Sequence, residues 1–178
     1  MKRNILIGNR IPKDFFITKG CGESDICEHA GSFHLALKEA GIEQANIMQY
    51  SSILPSIANE IKYERVTHGA VLESIIASST TDKSEICSAG IIFGWLYNRE
   101  TNEKFGGLVC EQNGNESLET IENRLRLSLE ELYINGFEET YELKDITLIS
   151  ESFKPNKKYG CALVGLCFTN YEVPILEI

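Results

Sequence analysis

A chain of 178 residues with 17 Lys and Arg against 26 Asp and Glu has a formal net charge of -9, which argues against a nucleic-acid partner held by phosphate contacts. Its 43% apolar and 24% charged residues are those of a globular domain with a sizeable core, and one domain over residues 1–178 is expected. The acidic balance helps draw in a small cationic solute, though weakly at physiological salt.

The first eight residues begin like a leader, but the apolar run is short and Arg10, Lys13 and Asp14 follow at once, so no secretory signal is read there. No stretch is long enough to span a bilayer, and a cytoplasmic protein without membrane contact is expected. Residues 15–18 predict a short strand. Residues 19–24, containing Gly20 and Gly22, predict a loop. Ser32 is a candidate N-cap for a helix running through Lys38 and closed at Ala40 and Gly41. Residues 45–50 predict a strand that runs up to Ser51 and Ser52, with Pro55 soon after. Residues 69–77 are apolar and β-branched and predict a buried strand. Residues 88–97, a turn at 98–102 and residues 106–111 predict a hairpin. Residues 117–135 predict the clearest helix: Ser117 and Thr120 are capping candidates, Ile121, Leu125, Leu129 and Leu132 share a face, and Gly136 ends it. Residues 145–150 and 160–168 predict further strands. Strands dominate and two helices pack on them, an α+β sandwich in which helices cover sheet faces.

The six cysteines, Cys21, Cys27, Cys87, Cys110, Cys161 and Cys167, form no C-x-x-C pair and match no zinc spacing. Reduced thiols are expected. His29, His34 and His68 with Glu28 fit no metal-ligand pattern, so no metal is expected. Gly20-Cys21-Gly22 is too short for a dinucleotide fingerprint.

The Ser51-Ser52 pair, taken alone, reads as a turn. Its setting says more. The segment Ala36-Leu37-x-x-Ala40-Gly41-Ile42-x-x-x-Asn46-Ile47-x-x-x-Ser51-Ser52-Ile53-Leu54-Pro55 resembles the pyruvoyl-dependent arginine decarboxylases. So do Pro12-Lys-x-Phe-Phe-x-Thr-Lys-Gly20, His68-Gly-Ala-Val-Leu-Glu73, Gly107-Leu-Val-Cys-Glu111 and residues 158–168, in the same order along the chain. The resemblance covers residues 12 to about 170. It implies a four-layer αββα sandwich of mainly antiparallel sheets with flanking helices. It also implies a homotrimer or a dimer of trimers, with sites between neighbouring subunits.

The resemblance further implies self-cleavage. The Ser52 hydroxyl would attack the Ser51 carbonyl, exchanging an amide for an ester. β-Elimination and hydrolysis would then leave a β chain, residues 1–51, and an α chain, residues 52–178, that begins with a pyruvoyl group made from Ser52. That group is the expected cofactor: its ketone forms an imine with the substrate amine and accepts the electrons released as CO₂ leaves. Asn46 matches the asparagine whose amide stabilises the negative charge building on the Ser51 oxygen. Read without the family, Asn46 closes a turn. Glu111 matches the acid that returns a proton to the decarboxylated carbon, a role favoured by apolar neighbours; otherwise it is a solvated strand-end carboxylate.

The substrate pocket implied by the family includes Leu37, Ile53 and the position of His34. Family members carry an acid there that pairs with the cationic end of arginine. Neutral histidine cannot replace it, and protonated histidine repels a guanidinium. A nearby acid such as Asp25, Glu28 or Glu39 takes over, or the substrate is a different amino acid, or the helix is aligned one position off. L-Arginine to agmatine plus CO₂ is the leading reading. Decarboxylation of a different amino acid, and an uncut homologue that binds a small amine or a partner without chemistry, are the alternatives. A serine hydrolase built on Ser52 lacks a G-x-S-x-G elbow and a histidine partner.

Overall fold

The computed structural model describes residues 6–176. Residues 1–5, most of the leader-like start, lie outside the described residues.

The first long strand, β1 (Asp14–Ser24), joins the predicted short strand and the predicted loop into one 11-residue element. The loop reading of residues 19–24 is therefore corrected. Gly20 and Gly22 are strand residues that admit a helix. A Cβ at 20 would lie 2.3 Å from the Ala36 carbonyl oxygen, and one at 22 would lie 2.1 Å from that of Ser32. Glycine inside a strand here marks close approach of another backbone.

The helical segment on that strand starts earlier than expected. A π-helical stretch, Glu28–Phe33, leads directly into α1 (His34–Glu39). Ser32 is thus internal and buried, not an N-cap, and its hydroxyl donates to the Glu28 carbonyl at 3.2 Å. The end of the helix follows the sequence. Gly41 sits at φ +76, its N–H donates to Lys38 at 3.1 Å and the Ile42 N–H to Leu37 at 3.0 Å. That is a Schellman closure, and it requires the left-handed conformation glycine adopts freely.

The remaining main elements are β2 (Asn46–Gln49), β3 (Ile53–Pro55), β4 (Asn59–Glu60), β5 (Val71–Thr81), β6 (Cys87–Asn98), β7 (Lys104–Gly114), α2 (Leu118–Gly136), β8 (Tyr141–Phe153) and β9 (Tyr159–Phe168). One sheet has the order β2-β5-β9-β1-β4 and the other β8-β6-β7-β3. Within these two sheets every pairing is antiparallel except β2 with β5 and β1 with β4. Short antiparallel pairs join Leu6–Ile7 to Ile175–Leu176 and Ile11–Pro12 to Tyr171–Glu172.

Alternation along the strands sorts the core into three clusters. Phe15, Ile75, Ile91, Phe93, Val109, Val164, Leu166 and Phe168 come from both sheets and pack together. Phe16, Leu72, Leu163 and Cys167 pack against Ala36 and Ala40 of the α1 region. Ile92, Leu96 and Leu108 pack against Ile121, Leu125 and Leu129 of α2. The last three are the apolar face expected of that helix, whose N-cap Ser117 accepts from the Thr120 N–H at 3.2 Å. The fold class is α+β, as expected.

Candidate active site

Strand β2 ends at Gln49 and β3 begins at Ile53, so Ser51 and Ser52 lie in the link between the two sheets. Both ends of the link are tied down. The Tyr50 N–H donates to the Ser74 carbonyl of β5 at 2.9 Å, and the Val109 N–H of β7 donates to the Ser52 carbonyl at 3.0 Å. β3 is the edge strand of its sheet, where Pro55 costs no ladder bond.

The Ser52 hydroxyl donates to the Glu111 carboxylate, at 3.0 Å to Oε2 and 3.3 Å to Oε1. The two residues are 59 apart in sequence. β7 carries Glu111, and antiparallel pairing of Ile53 with Leu108 sets its distance from Ser52. Ser52 and Glu111 are half-buried, while Ser51 is exposed.

These groups line a cavity of about 630 Å³ with Ser51, Ile53, Val109, Cys110, Gln112, Ser128, Glu131, Leu132 and Asn135. Among the described lining residues the charged ones are Glu111 and Glu131. Burial pushes the Cys110 thiol up to about 11, and the neighbouring Glu111 charge adds to the effect. The thiol is therefore neutral at physiological pH and a poor nucleophile.

The other expected site residues lie elsewhere in the protomer. His34, Leu37 and Asn46 line a second cavity, of about 820 Å³, with His29, Phe33, Ile47, Gln49 and Ser78. The Asn46 amide donates to the Gly69 carbonyl at 3.0 Å. Among its described lining residues this cavity has no carboxylate. Glu39 accepts from the Cys21 N–H at 2.7 Å and Asp25 from the Lys158 N–H at 3.3 Å, and neither lines this cavity. Glu28 opens the π-helical stretch and is likewise not in the cavity wall.

Sequence reasoning missed Gln112, Ser128, Glu131 and Asn135. The signal was available: Ser128, Glu131 and Asn135 follow helical spacing on the flank of α2 beside its apolar stripe, next to Leu132. Gln112 donates to the Ser128 hydroxyl at 3.3 Å and ties that face to β7.

Comparison with known proteins decides what this geometry belongs to. The pyruvoyl-dependent arginine decarboxylase family matches residues 14–173. The chain belongs to this family. A pyruvoyl-dependent arginine decarboxylase of Methanopyrus kandleri is 28% identical over 158 residues, covering 89% of this chain and 97% of its own length. The pyruvoyl-dependent arginine decarboxylase AaxB of Chlamydia trachomatis serovar L2 is 29% identical over 187 residues, covering 93% of this chain and 94% of its own. One from Methanococcoides burtonii is 34% identical over 86 residues, about half of either chain. The family match spans Ser51-Ser52, Glu111 and the described lining of both cavities, and the enzyme class is that of a carboxy-lyase.

Among the described residues no helix is long and apolar enough to cross a membrane, and no group of three or more His, Cys, Asp or Glu side chains is arranged to hold a metal ion.

Proposed function

We propose that this protein cuts itself between Ser51 and Ser52 and then decarboxylates an amino acid, with L-arginine to agmatine as the leading reaction. The observation that carries the reading is the Ser52 hydroxyl held on the Glu111 carboxylate at 3.0 Å in the wall of a cavity. A residue at position 52 is thereby presented to a small molecule, with a proton-transfer group already in reach. The chemistry of the lining fits a keto group there: the half-buried position limits hydration, and the adjacent thiol is neutral. When formed, the pyruvoyl group supplies the electron sink for loss of CO₂.

The residues of the chain do the rest. Glu111 is the group that delivers a proton to the substrate carbon once CO₂ has left. Glu131 is the second carboxylate of the cavity and complements the cationic end of arginine. The Arg-directed names of the relatives from Methanopyrus and Chlamydia support this substrate.

Asn46, His34 and Leu37 contribute from a neighbouring protomer in this reading. Support comes from their grouping in a separate cavity and from exposed apolar side chains near the two sheet edges, Met48, Ile53 and Val71. Exposed edges and apolar patches of this kind are covered by assembly. A homotrimer, or a pair of trimers, of cut protomers would place one protomer's Asn46 cavity against the next one's Ser52. The helix-sheet-sheet-helix order of the four-layer sandwich and a single domain over residues 1–178 belong to the same reading, supported by the three separate core clusters.

One observation favours a second reading. His29 and His34 line the larger cavity, which has no carboxylate among its described lining residues. If it receives the substrate's far end, a neutral or acidic side chain suits it better than a guanidinium. An amino-acid panel with CO₂ detection separates the two. Robust release from arginine supports the first reading; release from a neutral or acidic amino acid with none from arginine supports the second. No release from any member, by chains that have been cut, contradicts both. Ser52→Ala is expected to stay uncut and inactive. Glu111→Gln is expected to cut, because its amide oxygen still accepts from the hydroxyl, but to turn over about 10²-fold or more slowly. Full rate in that variant would remove Glu111 from its acid role.

A further inference from the structure

The link between the sheets contains a tighter feature than a simple bend. The Ile53 N–H donates to the Ser51 carbonyl oxygen at 3.0 Å. A bond from residue i+2 back to residue i closes a γ-turn centred on Ser52. The bond across which the chain is expected to break therefore already has a donor on its carbonyl oxygen.

The turn follows from strand geometry. In an antiparallel pair, residues alternate between those that exchange bonds with the partner and those that do not. Ser52 is bonded across, accepting from the Val109 N–H at 3.0 Å. Ile53 comes next, opposite Leu108, and its N–H turns off the ladder on the open side of an edge strand. A backbone N–H there needs an acceptor, and the Ser51 carbonyl supplies it. The Asn46 amide, meanwhile, is engaged with Gly69 in the same protomer.

We propose that the backbone N–H of Ile53 is an oxyanion donor for self-cleavage, stabilising the Ser51 oxygen as Ser52 attacks. This rests on the self-processing reading above. In the step, the bond from Ser52 Oγ to the Ser51 carbonyl carbon forms and the carbonyl π pair moves onto the Ser51 oxygen, where the N–H meets it. That pair then returns as the bond from the carbon to the Ser52 nitrogen breaks. The proton lost from Oγ is matched by the one the released amine takes up, so the amide becomes an ester with no other reactant. The donor is fixed before the charge develops, which is the condition for such a group to lower a barrier. It acts together with whatever Asn46 contributes across a subunit boundary.

The test removes the Ile53 N–H; the Ser52 carbonyl, now an ester, still accepts from the Val109 N–H, though more weakly. Cell-free synthesis with the α-hydroxy analogue of isoleucine at position 53 replaces the amide by an ester and keeps the side chain. Ile53→Pro is the genetically encoded counterpart. The same ester replacement at Val173, an exposed position far along the chain, serves as the control. Circular dichroism and particle size of the freshly made uncut chains report folding, and intact mass against time reports cleavage. The expected result is about tenfold or greater slowing for the ester at 53, with the Val173 ester cutting at the unmodified rate. A correctly folded ester-53 chain that cuts within twofold of the unmodified one overturns the inference while leaving self-processing intact. An unmodified chain that never cuts overturns the self-processing reading, and this inference with it.

Discussion

Cys110 and Glu131 make the chemistry of the smaller cavity testable one side chain at a time. Burial raises the Cys110 thiol to about 11, above its ordinary value, so the reactive thiolate is scarce at neutral pH. Alkylation of Cys110 by iodoacetamide, followed by peptide mass spectrometry, is expected to be slow at pH 8. It should rise about tenfold per pH unit until near that value, as thiolate fraction dictates. A rate that levels off below pH 9 would mean an ordinary thiol. Glu131→Gln is expected to raise KM for arginine about tenfold or more with little change in kcat, since it removes the charge proposed to meet the substrate's far end. An unchanged KM would assign cation recognition to other groups.

Elements carry the next level of the account, and here the sequence was legible where periodicity was long. Helix α2 announced itself through Ser117, its apolar stripe and Gly136, and it lies where expected. Leu125→Ala should cost about 2–5 kcal/mol in denaturant unfolding, because Leu125 is fully buried between α2 and β6. A loss below about 1 kcal/mol would mean that this packing is dispensable. The region from 19 to 33 was not legible. Gly20 and Gly22 carry turn chemistry in isolation, and only the helix backbone pressed onto β1 explains them as strand residues. Ser32 has the composition of an N-cap but lies within a helix that begins four residues before it. Gly22→Ala is accordingly expected to cost about 3 kcal/mol or more, beyond an ordinary overpacking penalty, and a neutral effect would contradict the close packing.

At the scale of the whole molecule, strand pairing brings together residues that lie far apart in the chain. Ser52, Ile53 and Glu111 converge through strand pairing between distant segments. That convergence was legible only through the order of motifs along the chain, because no local pattern links residues 59 apart. Asn46, His34 and Leu37 belong to the α1 and β2 side of the protomer, and the proposed pairing between protomers has no local pattern in the sequence to mark it. Light scattering of the cut protein is expected to give a mass of three protomers or six. A monodisperse single protomer that retains full activity would remove the shared-site arrangement.

All of this hangs on whether the chain makes its own ketone. Intact-mass analysis of the purified, denatured protein measures that directly. Two fragments should appear, one ending at Ser51, the other beginning at position 52 and lighter than a serine-initiated fragment by one ammonia. A single 20.0 kDa chain persisting after prolonged incubation, or a second fragment that still begins with serine, would contradict it.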